Sequence, residues 1–97
     1  MVELGKKLLN ERYRLASEVG SGAFGMTWKA MDVVIDAPVA VKVIPLGRDV
    51  GGHRERILRE ARVLRQLNHP AIPRFVDSFV IGEGRYAELI VVQDYIF

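Results

Sequence analysis

Three glycines spaced Gly20-x-Gly22-x-x-Gly25 are the first residues here whose spacing could do chemistry. Glycine lets backbone N–H groups approach phosphate oxygens with no side chain in the way. A plain hairpin turn would use the same residues, so the neighbours must decide. A dinucleotide fingerprint needs a helix directly after the glycines, whereas strand-like Thr27-Trp28-Lys29 follows. The phosphate loop GxxxxGK[ST] is nearly matched from Gly20 to Thr27, but Met26 stands at its lysine position and brings no charge to the phosphates. What remains is a glycine hairpin between two antiparallel strands, folding over a nucleotide as a lid.

Lys42 and Glu60 form the second constellation. In Val39-Ala40-Val41-Lys42-Val43-Ile44, alternation places the three valines on one face and Ala40, Lys42 and Ile44 on the other. Further along, steps of ~100° per residue place Val63, Leu67, Leu64, Ile57 and Ala61 on one continuous helical arc, and Glu60 falls inside it. A carboxylate is thereby expected to point at the core, where burial without a partner costs several kcal/mol. Lys42, flanked by apolar residues on the sheet that the helix must cover, is the expected partner. The competing readings are a solvated strand lysine and a glutamate snorkelling at the helix edge.

The elements that position these groups are read from pattern. Tyr13 to Val19 runs as a strand into the glycine turn, Met26 to Ala30 follows it, and Val39 to Ile44 lies between Pro38 and Pro45. One amphipathic helix is expected from His53 or Arg54 to just before Asn68-His69-Pro70, because proline disfavours helical geometry in the residue ahead of it. Phe75–Ile81 and Glu88–Ile96 read as two more strands around a hairpin loop at Gly82-Glu83-Gly84-Arg85. The expected fold is α+β: a five-stranded antiparallel sheet with one helix inserted after the third strand.

Composition bounds the rest. Ninety-seven residues, 49% apolar and 27% charged, make one small globular domain with a net charge of +2. The absence of cysteine excludes disulfides, thiolate metal sites and a catalytic thiol. His53 and His69 have no ligand partners at metal spacing, so no metal site is expected. No apolar run approaches the ~20 residues of a bilayer span, and Met1 to Lys7 lacks the apolar stretch of a secretory signal. The expected location is cytoplasmic. The arginines of the helix read mostly as a solvated face, and nucleic acid is not an expected partner.

Taken together, Gly20-Ser21-Gly22-Ala23-Phe24-Gly25, Val39-Ala40-Val41-Lys42, Glu60-Ala61 with Leu67-Asn68-His69-Pro70, and Val92-Gln93-Asp94-Tyr95 resemble the protein kinase family in order and spacing. The Leu-Asn-His-Pro ending looks like the bacterial members of the eukaryotic-type serine/threonine kinases. The resemblance covers about residues 13 to 97, the amino-terminal lobe of that fold, and leaves 1 to 12 as a leader. It implies that Val19, Thr27 and Ala40 line the adenine slot, that Gly20, Ser21, Gly22, Ala23, Phe24 and Gly25 cover the phosphates, that Met26 also belongs to the ATP site, and that Lys42 and Glu60 form the catalytic ion pair. It further implies that Gln93 is the gatekeeper, and that the Asp94 carbonyl and the Ile96 N–H grip the adenine edge. Thr27 stands where the family usually has valine, and a glutamine gatekeeper is uncommon.

The same resemblance implies ATP as substrate, a protein hydroxyl as phosphoryl acceptor, and magnesium held by ligands in a carboxy-terminal lobe absent from this sequence. No His-Arg-Asp loop and no Asp-Phe-Gly occurs in the 97 residues. The chain alone is therefore expected to be inactive, to bind nucleotide weakly and to tend toward self-association through uncovered apolar surface. The alternative is a non-catalytic module, a pseudokinase-like or protein-interaction domain on the same fold.

Overall fold

The structure, a computed structural model, describes residues 8–22, 25–47, 51–66 and 73–95. Its strands are β1 (Leu8–Leu9), β2 (Tyr13–Gly22), β3 (Gly25–Asp32), β4 (Ala37–Pro45), β5 (Phe75–Ile81) and β6 (Glu88–Asp94), with one helix, α1 (His53–Gln66), between β4 and β5. All strands pair antiparallel in the order β1-β2-β3-β4-β6-β5.

The sheet has six strands, where the sequence pattern predicts five. The extra one is Leu8–Leu9, paired with Arg14 and Tyr13 and contributed by the stretch read as a leader. Two residues are too few to show alternation, and tertiary contacts hold them instead. Leu9 is buried in the main core, and the following turn places Arg12 on Asp32. Arg12 Nη2 lies 2.7 Å from Asp32 Oδ2, and its Nε donates to both carboxylate oxygens at 2.9 Å. Asp32 is fully buried, yet the arginine hydrogen bond outweighs desolvation and holds its carboxyl below the usual range.

Alternation in β4 sorts the two sides of the sheet as expected. Val39, Val41 and Val43 join Leu9, Tyr13, Leu15, Ile90 and Val92 in the main core. On the opposite face, Ile44, Leu89 and Val91 meet Ile57, Leu58 and Ala61 of α1. Burying a Val, Leu or Ile side chain completely contributes about 1.5–3 kcal/mol, so the sheet is held on one side by packing among its own strands and on the other by a single helix. Tyr13 crosses the main core, and its hydroxyl donates to Asp77 Oδ2 at 3.0 Å. Burial, reinforced by that bond, pushes its phenol up to about 12.

The helix begins at His53 as read. Its buried arc is narrower than predicted, because Val63 is exposed; the side chain of Leu64 and the whole of Leu67 lie outside the described residues, as do Asn68, His69 and Pro70. β6 ends at Asp94, and Ile96 also lies outside them. The expected hairpin loop after β5 contains a 3-10 turn, Gly84–Tyr86. No helix among the described residues is long and apolar enough to cross a membrane.

Candidate functional site

The glycine hairpin forms by the register of β2 and β3: Gly20 pairs with Thr27, Ser21 with Met26 and Gly22 with Gly25. Ala23 and Phe24, at its apex, lie outside the described residues. A register shift between Glu18 and Gly20 leaves Val19 as an extra residue, largely exposed, and a bulge of this kind bends and twists its strand.

Two of the glycines differ in what requires them. Gly25 has φ +133°, and a Cβ there would overlap the Val43 carbonyl oxygen of β4, so backbone packing demands it. At Gly20 an added Cβ would meet nothing within 4 Å. Local packing gives no reason for glycine at position 20, and the space beside it is open to a ligand.

Directly opposed residues of an antiparallel pair project to the same face. Thr27 is opposite Lys42 in β4, and Lys42 is opposite Val91 in β6. Ala40, two residues before Lys42, is opposite Lys29 on one side and Gln93 on the other. Thr27, Ala40, Lys42 and Gln93 therefore share the face that also bears Ile44. The helix covers the Ile44–Leu89–Val91 end of it.

Lys42 and Glu60 line one cavity of about 250 Å³ between the sheet and α1, walled by Ile44, Ile57, Ala61, Leu89 and Val91. They do not form the expected ion pair. Among the described residues the ion pairs are Arg12–Asp32 and Arg74–Asp94, and both Lys42 and Glu60 are exposed. The expectation of a buried carboxylate is thus corrected. The cavity is open enough for water to solvate both groups, which removes the penalty that would have forced them together.

Gln93 is buried, and its side-chain amide donates to the Pro73 carbonyl at 3.4 Å. The next residue, Asp94, is tied down twice by Arg74. Its N–H donates to the Arg74 carbonyl at 2.9 Å, and its carboxylate accepts from Arg74 Nε and Nη2 at 3.1 and 3.2 Å. Lys29 Nζ sits 5.1 Å from the centre of the Tyr95 ring, a cation–π contact at the exit of β6. Sequence reasoning misses Arg74, Lys29 and Tyr95, because each partnership joins residues far apart in the chain and leaves no local spacing signal.

No group of three or more His, Cys, Asp or Glu side chains able to hold a metal occurs among the described residues.

Residues 13–96 match the family described as the protein kinase domain. The chain is 36% identical over 85 residues to the cell division control protein 2 homolog 2 of Trypanosoma brucei brucei, covering 88% of this chain and 24% of that protein. Over 73 residues it is 36% identical to cyclin-dependent kinase D-1 of Arabidopsis thaliana, covering 75% of this chain and 18% of that one. Over 80 residues it is 28% identical to the probable serine/threonine-protein kinase YbdM of Bacillus subtilis (strain 168), covering 81% and 31%. The chain spans less than a third of each of these relatives. They come from a trypanosome, a plant and a bacterium, so the likeness is broader than the bacterial one that the helix ending suggests.

Proposed function

Because the chain belongs to the protein kinase family, we propose that it is the ATP-binding amino-terminal lobe of a serine/threonine protein kinase whose parent transfers the γ-phosphate of ATP to a protein hydroxyl. The observation that carries this reading is the shared face of Thr27, Ala40, Lys42 and Gln93, edged by the open side of Gly20. In it, the adenine lies against Val19, Thr27 and Ala40, with Gln93 at the back and the backbone of Asp94 and Ile96 at its edge. The hairpin N–H groups from Gly20 to Gly25 approach the phosphates.

Phosphoryl transfer depends on positioning and on stabilising charge that spreads over the phosphoryl oxygens. Lys42 supplies that charge from β4. Glu60 holds the ammonium in place once α1 moves toward the sheet and the cavity between them closes. The 97 residues contain no His-Arg-Asp loop and no Asp-Phe-Gly, so in this reading they bind nucleotide without transferring phosphate on their own. ATP titration of the chain, read as amide shifts, tests this: shifts centred on β2, β3 and Lys42, lost in Lys42→Met, support it.

A second reading, a non-catalytic interaction module, draws on the separation of Lys42 from Glu60. It expects no amide shifts with ATP up to about 10 mM, well beyond the usual micromolar-to-millimolar range of substrate affinities.

A further inference from the structure

The turn between β3 and β4 presents three consecutive aliphatic residues to solvent: Val33, Val34 and Ile35 are 37, 67 and 55% exposed. Tight turns ordinarily carry Gly, Asn, Asp or Ser, whose chemistry suits their backbone. Here that work is done by the flanking residues. Asp32, buried and clamped by Arg12, accepts the Val34 N–H at 3.0 Å; the Val33 N–H donates to the Arg12 carbonyl at 2.9 Å; Asp36 takes the positive φ of 53°. The result is a braced apolar finger.

The rim of the finger narrows its partner. Exposed Asp36 closes the turn, and exposed Glu11 sits in the β1–β2 turn that the Val33–Arg12 bond sets alongside. Arg12 is neutralised by Asp32, and Arg14, also exposed, lies further up the sheet across from Met31. Among the described residues the rim is therefore acidic, which disfavours an anionic bilayer and suits an apolar spot among cations.

This chain carries such a spot on α1. Val63 is 54% exposed, with exposed Arg59 and Arg56 one and two turns before it; exposed Glu60, three residues before it, turns toward the cavity that it lines with Lys42. The helix has five arginines against two glutamates, although the whole chain is only +2.

We propose that Val33-Val34-Ile35 is a docking finger for a second copy of this chain, seated on the arginine-flanked face of α1 around Val63. The contact is heterologous, so each copy offers one finger and one seat, and association continues beyond the dimer. A three-residue tip on one helix face falls below the ~1,000 Å² of a stable interface, so the affinity is weak, on the order of 0.1–1 mM. It weakens further as salt screens the rim.

Sedimentation of the full chain at concentrations up to about 1 mM, with Val34→Asp and Val63→Asp compared, tests this. Both positions are exposed, and unchanged circular dichroism confirms folding. Wild type is expected to grow in mass beyond the dimer with concentration, and each variant alone to remain monomeric. An equimolar mixture of the two should form a 1:1 dimer and stop, since one keeps the seat and the other the finger. A wild type monomeric throughout, association unchanged in either variant, or a mixture that stays monomeric overturns the proposal. So does wild-type binding to phosphatidylserine-containing vesicles that Val34→Asp abolishes, which would assign the finger to a membrane.

Discussion

Lys42 and Glu60 face the same 250 Å³ cavity from opposite walls, one on β4 and one on α1, without forming an ion pair. Both are exposed, so neither contributes much to holding the fold. Lys42→Met and Glu60→Gln should therefore change unfolding free energy by no more than about 0.5 kcal/mol in chemical denaturation, the range of surface substitutions. A loss above 2 kcal/mol in either would mean the two groups are paired in solution.

Gly25 and Gly20 should separate sharply. At Gly25 an alanine Cβ meets the Val43 carbonyl under a positive φ, and strain plus overlap should cost about 3 kcal/mol. At Gly20 the added methyl has open space, so Gly20→Ala should retain stability within about 1 kcal/mol while weakening ATP binding. Thermal melts alongside nucleotide titrations of the two variants check the contrast.

Acid should unfold the chain partly through Asp32. Arg12 holds this carboxyl below its usual range, so the unfolded chain binds the proton more tightly and stability rises with pH. The contribution is complete above the ordinary carboxylate pKa of about 4 and disappears as pH falls through the lower folded value. Denaturation curves between pH 6 and about 2 should show this acid limb in wild type, and a flatter one in Asp32→Asn.

The alkaline limb should trace to Tyr13. Its phenol is raised to about 12 from an ordinary value near 10, so the fold favours the neutral form. That stability is present below about pH 10 and is lost as pH rises toward 12. Tyr13→Phe should remove this dependence and, by leaving Asp77 without its donor, cost about 1 kcal/mol at neutral pH.

Where a local pattern carries the information, the sequence is a good guide to this molecule. The alternation of Val39 to Ile44 places its valines in one core and Ile44 in the other, and the helix starts at His53 as its periodicity predicts. β1 escapes because two leucines form no pattern, and its place depends on Tyr13 and the Arg12–Asp32 clamp. The buried acid expected at Glu60 fails for a different reason. Periodicity fixes the direction of a side chain around the helix, but the distance between α1 and the sheet is set by packing, and here an open cavity remains. The Arg74–Asp94 brace joins residues 20 apart in sequence, beyond any local spacing rule.

In the proposed site the glycine hairpin and Lys42 face one nucleotide. Titrating the isotopically labelled chain with ATP while following each backbone amide is the measurement that decides this. Saturable shifts should cluster at Gly20 to Gly25, Thr27, Ala40 and Lys42, and in Lys42→Met they should shrink while the fold is retained. Amides of the hairpin that stay still at saturating ATP, or a response identical in Lys42→Met, would contradict the claim.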